Sequence, residues 1–204
     1  MGLLSSSVSI TRYKVNGEIS GDLISTITEG LQKYSITDID HVPVEKTSGW
    51  TSFENPYMPN FEKTSCIIGT YFVFSLRIDK KNIPAKIIKK FYIAEMTKKL
   101  AESDREHLSR NEKKTIKDNI ISFLSLRIPA APNIYDILWN YENYSLWFFS
   151  NQKAANEELE TLFSKSFKLK LIRLFPYTMA DLSKKLNDKD HDRLTTISPT
   201  KFMD

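Results

Sequence analysis

Cysteine is almost missing from this sequence. Cys66 stands alone, which excludes an intramolecular disulfide and any thiolate zinc cluster, and its apolar surroundings predict a buried, inert thiol. Glycine is scarce as well: the six glycines build neither a GxGxxG nor a Walker A loop, so no nucleotide cofactor is implied. The three histidines, His41, His107 and His191, lie far apart without ligand spacing and read as solvated or structural, so no metal is implied either. No run approaches 18 apolar residues, and no transmembrane helix is predicted. The first seven residues lack the basic and apolar regions of a secretory signal, and the short match of Met1-Gly2 and Ser6 to a myristoylation pattern reads as coincidence. A cytoplasmic protein with no membrane partner is expected.

What the chain does have is a core and a concentrated charge. Its 204 residues are 41% hydrophobic and 12% aromatic, enough for one compact unit, which the pattern allows to divide into two lobes, 1–82 with 168–204, and 83–167. From Arg77 to Lys117 stand 13 Lys/Arg against 6 Asp/Glu, whereas the rest of the chain carries 16 against 19. A surplus gathered in one segment makes a local positive field suited to a polyanion, and nucleic acid is the first partner to consider.

The basic segment reads as two helices. Pro84 suits the N1 position, and Ile87, Ile88, Phe91, Tyr92, Met96 and Leu100 form an apolar stripe behind it, with Lys86, Lys89 and Lys90 opposite. Ser109 and Glu112 form a capping box for the second helix, whose stripe is Ile116, Ile120, Phe123 and Leu124 and whose first turns carry Lys113, Lys114 and Lys117. Cations near a helix start oppose the macrodipole at about 0.3 to 1 kcal/mol each, a cost that a contact requirement would explain. The DNA-binding candidates are therefore Lys86, Lys89, Lys90, Lys98, Lys99, Arg105, Arg110, Lys113, Lys114 and Lys117. No helix-turn-helix or zinc-finger reader is present, so contacts should go to phosphate.

Around this segment the pattern predicts an α+β fold of mostly antiparallel sheets packed with helices. Val8, Ile10, Tyr13 and Val15 mark a first strand, and Ser20 caps a helix over 21–34. An irregular connection with one short strand follows to about 65, then a long strand from Cys66 to Ile78 with one face buried and a bulge at Gly69. A hairpin around Glu142-Asn143 puts Ile137, Trp139 and Tyr141 on one face with Tyr144, Leu146 and Phe148. Trp147 and Phe149, on its other face, are the candidates for base stacking or a dimer contact. A helix over 153–164, a strand over 168–175, a helix over 178–186 and a loosely ordered tail complete the chain.

Catalysis finds little support in the residues. A nuclease needs paired carboxylates to hold divalent ions; Asp38 and Asp40 give a short D-x-D, and Glu157, Glu158 and Glu160 cluster on what reads as a solvated helix face. No catalytic residue is assigned.

The run KNIPAKIIKKFYIAEMTKKLAESDREHLSRNEKKTIKDNIISFLSL, from Lys81 to Leu126, resembles the RdgC family of bacterial recombination-associated DNA-binding proteins. The similarity lies in an I-L-P-x-x-V-I entry, a long charged helix and a K-x-x-I/L-K-D/E continuation toward a leucine-rich end. Gly49-Trp50 is similar to the family's G-W segment, and the Ile137-Leu138-Trp139 strand, hairpin and Lys153-Ala154-Ala155 helix follow in the same order. The resemblance implies a mixed fold, a homodimer encircling duplex DNA, binding without sequence preference, a link to a recombinase whose filaments it restrains, and association with the nucleoid. Family members usually continue well beyond the end of this chain, so a short form lacking the C-terminal half is expected. Where the family carries P-R-A-F with a dimer-contact phenylalanine, this chain has Arg127, Ile128, Pro129, Ala130, Ala131 and Pro132. The expected function is sequence-nonspecific DNA binding without catalysis; a metal-dependent exonuclease and a protein-interaction module using the basic face are the alternatives.

Overall fold

A computed structural model describes residues 2–61, 66–103, 105–183 and 186–198. In chain order the elements are β1 (Thr11–Asn16), α1 (Leu23–Lys33), β2 (Lys46–Ser52), β3 (Ile67–Ile68), β4 (Tyr71–Lys80), α2 (Ala85–Ser103), α3 (Arg110–Ser125), β5 (Ala131–Asn140), β6 (Ser145–Phe148), α4 (Lys153–Phe167), β7 (Lys170–Arg173), α5 (Pro176–Asp181) and α6 (Asp188–Thr196). The strands run β2-β4-β5-β6-β1-β7, with β3 paired to β4 off that path. The fold is α+β, as the sequence pattern implies. The chain divides into two compact units, one of Met1–Gly30, Ser65–Phe74 and Tyr135–Asp204, the other of Leu31–Thr64 and Ser75–Ile134.

The first unit is built on antiparallel ladders in which apolar residues alternate. In the β5–β6 hairpin Ile137 pairs with Phe148 and Trp139 with Leu146, and all four side chains are fully buried. Strand β1 pairs with β6 on one side and β7 on the other. It starts at Thr11, where pairing with Phe148 begins, so Val8 and Ile10 fall outside the expected strand and stay exposed. Helix α4 brings Phe163 and Phe167 against Trp139, with ring centroids 5.0 and 5.3 Å away. It outlasts the expected end at Ser164 and stops at Lys168, which takes a left-handed conformation.

Two further expectations change in this unit. The run from Cys66 is no single strand: Gly69, at φ +61°, turns the chain between Ile68 and its partner Tyr71, so the glycine makes a hairpin rather than a bulge. Apolar alternation persists through that reversal, which is why periodicity did not reveal it. Cys66 itself is half-buried, and burial raises its thiol pKa. From Asp188 to Thr196 the expected loose tail forms α6, because Asn187 Oδ1 accepts the Asp190 amide at 2.9 Å and Asp188 and Asp190 complement the helix dipole; its end, 199–204, lies outside the described residues. The helix expected over 178–186 is the shorter α5, opened by Pro176.

Helix α1 opens on Asp22 rather than Ser20: the Asp22 carboxylate accepts the Ser25 amide at 2.9 Å, and the Ser25 side chain, then this amide, lower its pKa. In the second unit, β2 meets the segment after α1 by a parallel bridge, with the Ile36 amide on Trp50 O and the Trp50 amide on Tyr34 O, both at 2.9 Å. A Cβ on Gly49 would lie 2.5 Å from the Ile36 backbone, so only glycine lets the two chains approach while Trp50 fills the core. Two cations of the basic segment turn inward here. Arg77 forms a two-bond pair with Asp79, at 2.7 and 2.6 Å, and Lys81 Nζ donates to the backbone carbonyls of Asp40, Val42 and Ser125.

Candidate nucleic-acid interface

The α2–α3 hairpin carries a core of its own. Leu108, Ile116, Ile120 and Leu124 are buried, and Ile83, Ile88, Tyr92, Met96, Leu100 and Ile128 pack on them. Pro84 stands one position earlier than expected, its carbonyl accepting the Ile88 amide at 3.2 Å as the helix begins. The apolar stripe of α2 is narrower than expected, since Ile87 and Phe91 remain exposed while Ile88, Tyr92, Met96 and Leu100 face α3. The capping box of α3 forms as read: Glu112 accepts the Ser109 amide at 2.8 Å and Ser109 Oγ accepts that of Glu112 at 3.3 Å. Hydrogen bonds to the carboxyl from the Ser109 amide and then the Ser109 side chain, followed by nearby Arg105 and Lys99, hold Glu112 below its ordinary pKa.

The structure sorts the ten candidate cations into two sets. Lys98 pairs with Glu102 at 3.9 Å and Arg105 with Glu112 at 3.5 Å. Lys99, half-buried, lines the same cleft as those two glutamates. These three cations near the α2–α3 turn are thus partly neutralised. By contrast, Lys86, Lys89, Lys90, Arg110, Lys113, Lys114 and Lys117 are exposed and make no ion pair among the described residues. Arg110, Lys113, Lys114 and Lys117 follow i, i+3, i+4, i+7 spacing and so share one side of α3. Lys117 meets Lys89 of α2 across a groove that Ala85, Ile88 and Tyr92 also line. The opposite groove, lined by Phe91, Glu95, Lys99, Ile116, Asn119, Ile120 and Phe123, mixes apolar groups with one charge of each sign. The hairpin therefore has a basic side and a side with no charge surplus.

A family model described as "Putative exonuclease, RdgC" matches residues 9–186. The chain belongs to the RdgC family. No curated protein sequence matches it.

For this RdgC-family chain the remaining candidates can now be placed. Trp147 is 40% exposed on β6, paired with Leu138 and Arg12, and stays a surface residue. Phe149 does not: it is 5% exposed. Strand β6 ends at Phe148, and Phe148, Phe149 and Ser150 are buried in succession, so the two-residue alternation stops there and Phe149 lies in the core. It is no stacking or surface dimer candidate.

The acidic candidates serve local structure. Asp38 Oδ1 accepts the Asp40 amide at 2.7 Å, and Asp40 Oδ1 that of Ala130 at 2.8 Å. Glu160 is not part of a purely solvated face, because Arg173 donates to it at 2.9 Å and the Tyr13 hydroxyl lies 2.8 Å away. Burial, then the Glu160 hydrogen bond, raises the Tyr13 phenol above its ordinary value. Glu157 pairs with Lys153 at 3.9 Å. Among the described residues no group of three or more His, Cys, Asp or Glu is placed to hold a metal ion. No helix among them is long and apolar enough to cross a membrane.

What sequence reasoning missed is the groove. Its signal is visible in hindsight: Ala85, Ile88, Lys89 and Tyr92 follow i, i+3, i+4, i+7 spacing on α2.

Proposed function

We propose that this chain binds DNA without sequence preference through the basic side of the α2–α3 hairpin, and that it modulates recombination by occupying DNA and restraining recombinase filaments. It acts by occupancy rather than catalysis, as a homodimer in the cytoplasm at the nucleoid. The observation that carries this reading is the run of Arg110, Lys113, Lys114 and Lys117 along one side of α3, with Lys89 across the groove, all exposed and none in an ion pair among the described residues. Cations with no ion pair among the described residues are available to phosphates, and phosphate contacts give affinity with little sequence information. Gel mobility shifts at low salt on unrelated duplexes test it. Comparable shifts on all of them are expected, and their absence overturns the reading.

The description of the matching family model favours a second reading, an exonuclease. End-labelled DNA incubated with magnesium or manganese separates the two. Intact label supports occupancy; degradation abolished by Asp38→Asn or Asp40→Asn supports the enzyme.

A further inference from the structure

The groove between α2 and α3 on the basic side has a composition that phosphate binding alone does not require. Its volume is about 450 Å³, within the range of small-molecule pockets, which runs from about 300 to 1,000 Å³. Ala85, Ile88 and Tyr92 supply apolar and aromatic lining, with Ile88 and Tyr92 half-buried against the hairpin core. Lys89 stands on one helix and Lys117 on the other, and neither is neutralised by an acid among the described residues. A flat apolar group next to negative charge fits such a site. The groove on the other side sets Glu95 beside Lys99 in its lining and so offers an anion no net positive charge.

Continuity with the cationic run on α3 narrows the ligand further. Lys117 is at once the last member of that run and a lining residue of the groove, so a strand whose phosphates follow Arg110, Lys113 and Lys114 is delivered to it. In a duplex the base faces are covered by their neighbours in the stack. In a single strand they are open, and every base offers a face to an aromatic ring. We propose that this groove seats an unpaired base, with the adjoining phosphate between Lys89 and Lys117. The inference rests on the DNA-binding reading and adds to it a distinction: duplex is held by phosphate contacts alone, single strand by phosphate and base.

Fluorescence anisotropy on the full chain tests it with three ligands of equal length: a single strand, the same strand carrying abasic sites throughout, and the duplex. Removing the bases should weaken single-strand binding roughly five- to 150-fold, the span of one stacked base. Tyr92→Leu should shrink that difference while leaving duplex affinity within about twofold. Equal affinity of intact and abasic strands overturns the base seat, and so does an undiminished difference in a folded Tyr92→Leu protein. If that variant does not fold, as circular dichroism will show, the abasic comparison on the unaltered protein decides. Binding of duplex with no abasic effect sinks this inference and leaves DNA binding intact, whereas no binding of any ligand at low salt sinks both.

Discussion

Gly49 and Trp50 show how a pair of neighbouring residues is fixed by local crowding. The Ile36 backbone lies where a Gly49 side chain would begin, and the adjoining indole is fully buried. Gly49→Ala should therefore cost about 1 to 3 kcal/mol, typical of overpacking, and urea denaturation should show a lowered midpoint with an unchanged slope. Phe149 is the opposite case: nothing in its own identity or in the alternation around it signals burial, because the strand that sets the alternation ends one residue before it. Lys81 is also hard to read from composition. Its ammonium is counted with the basic surface, yet it spends its three donors on carbonyls and is 4% exposed.

Helix α3 begins with Arg110 and soon adds Lys113 and Lys114, which the positive end of its dipole disfavours, and the Ser109–Glu112 box offsets that. Ser109→Ala should lower stability by about 0.5 to 2 kcal/mol in thermal or urea unfolding. The pH dependence has a definite sign. Because the folded-state pKa of Glu112 is depressed, its contribution is present above the ordinary carboxylate pKa and is lost as pH falls through the lower, folded value. A circular-dichroism titration of unfolding should thus show the wild type losing its advantage over Glu112→Gln only on acidification below about pH 4.5. This capping box and Ile116, Ile120 and Leu124 of the apolar stripe were legible in the sequence because both depend on residues within a few positions of one another, whereas Phe123, expected in that stripe, stays exposed.

For the molecule as a whole, the positive segment divides into cations that pair with glutamates, Lys98 and Arg105, and cations that make no ion pair among the described residues. Each neutralised phosphate lowers the log-log salt slope by about 0.9 on duplex DNA, so Lys89, Arg110, Lys113, Lys114 and Lys117 together correspond to a slope of about −4 to −5. Replacing Arg110, Lys113, Lys114 and Lys117 by alanine should flatten it by about 3 to 4, weakening all sequences alike. Replacing Lys98 and Arg105, which pair with Glu102 and Glu112, should change it by less than about 1. Equal effects from the two sets, measured in anisotropy titrations across salt, would show that the ion pairs open on DNA and that all ten cations act together.

The α+β class, the two basic helices, the cap of α3 and the family can be read from the chain alone, because each is written in local spacing or in the order of motifs along it. Which charges are available and which aromatics lie at the surface depends on contacts between distant parts of the chain. Arg77 and Lys81 turn inward, the cations near the α2–α3 turn meet their own glutamates, Phe149 enters the core, and Lys89 meets Lys117 across a groove. Charge counts and periodicities describe one element at a time, whereas an ion pair or a groove needs partners from several, and their distances are set by how the chain returns on itself.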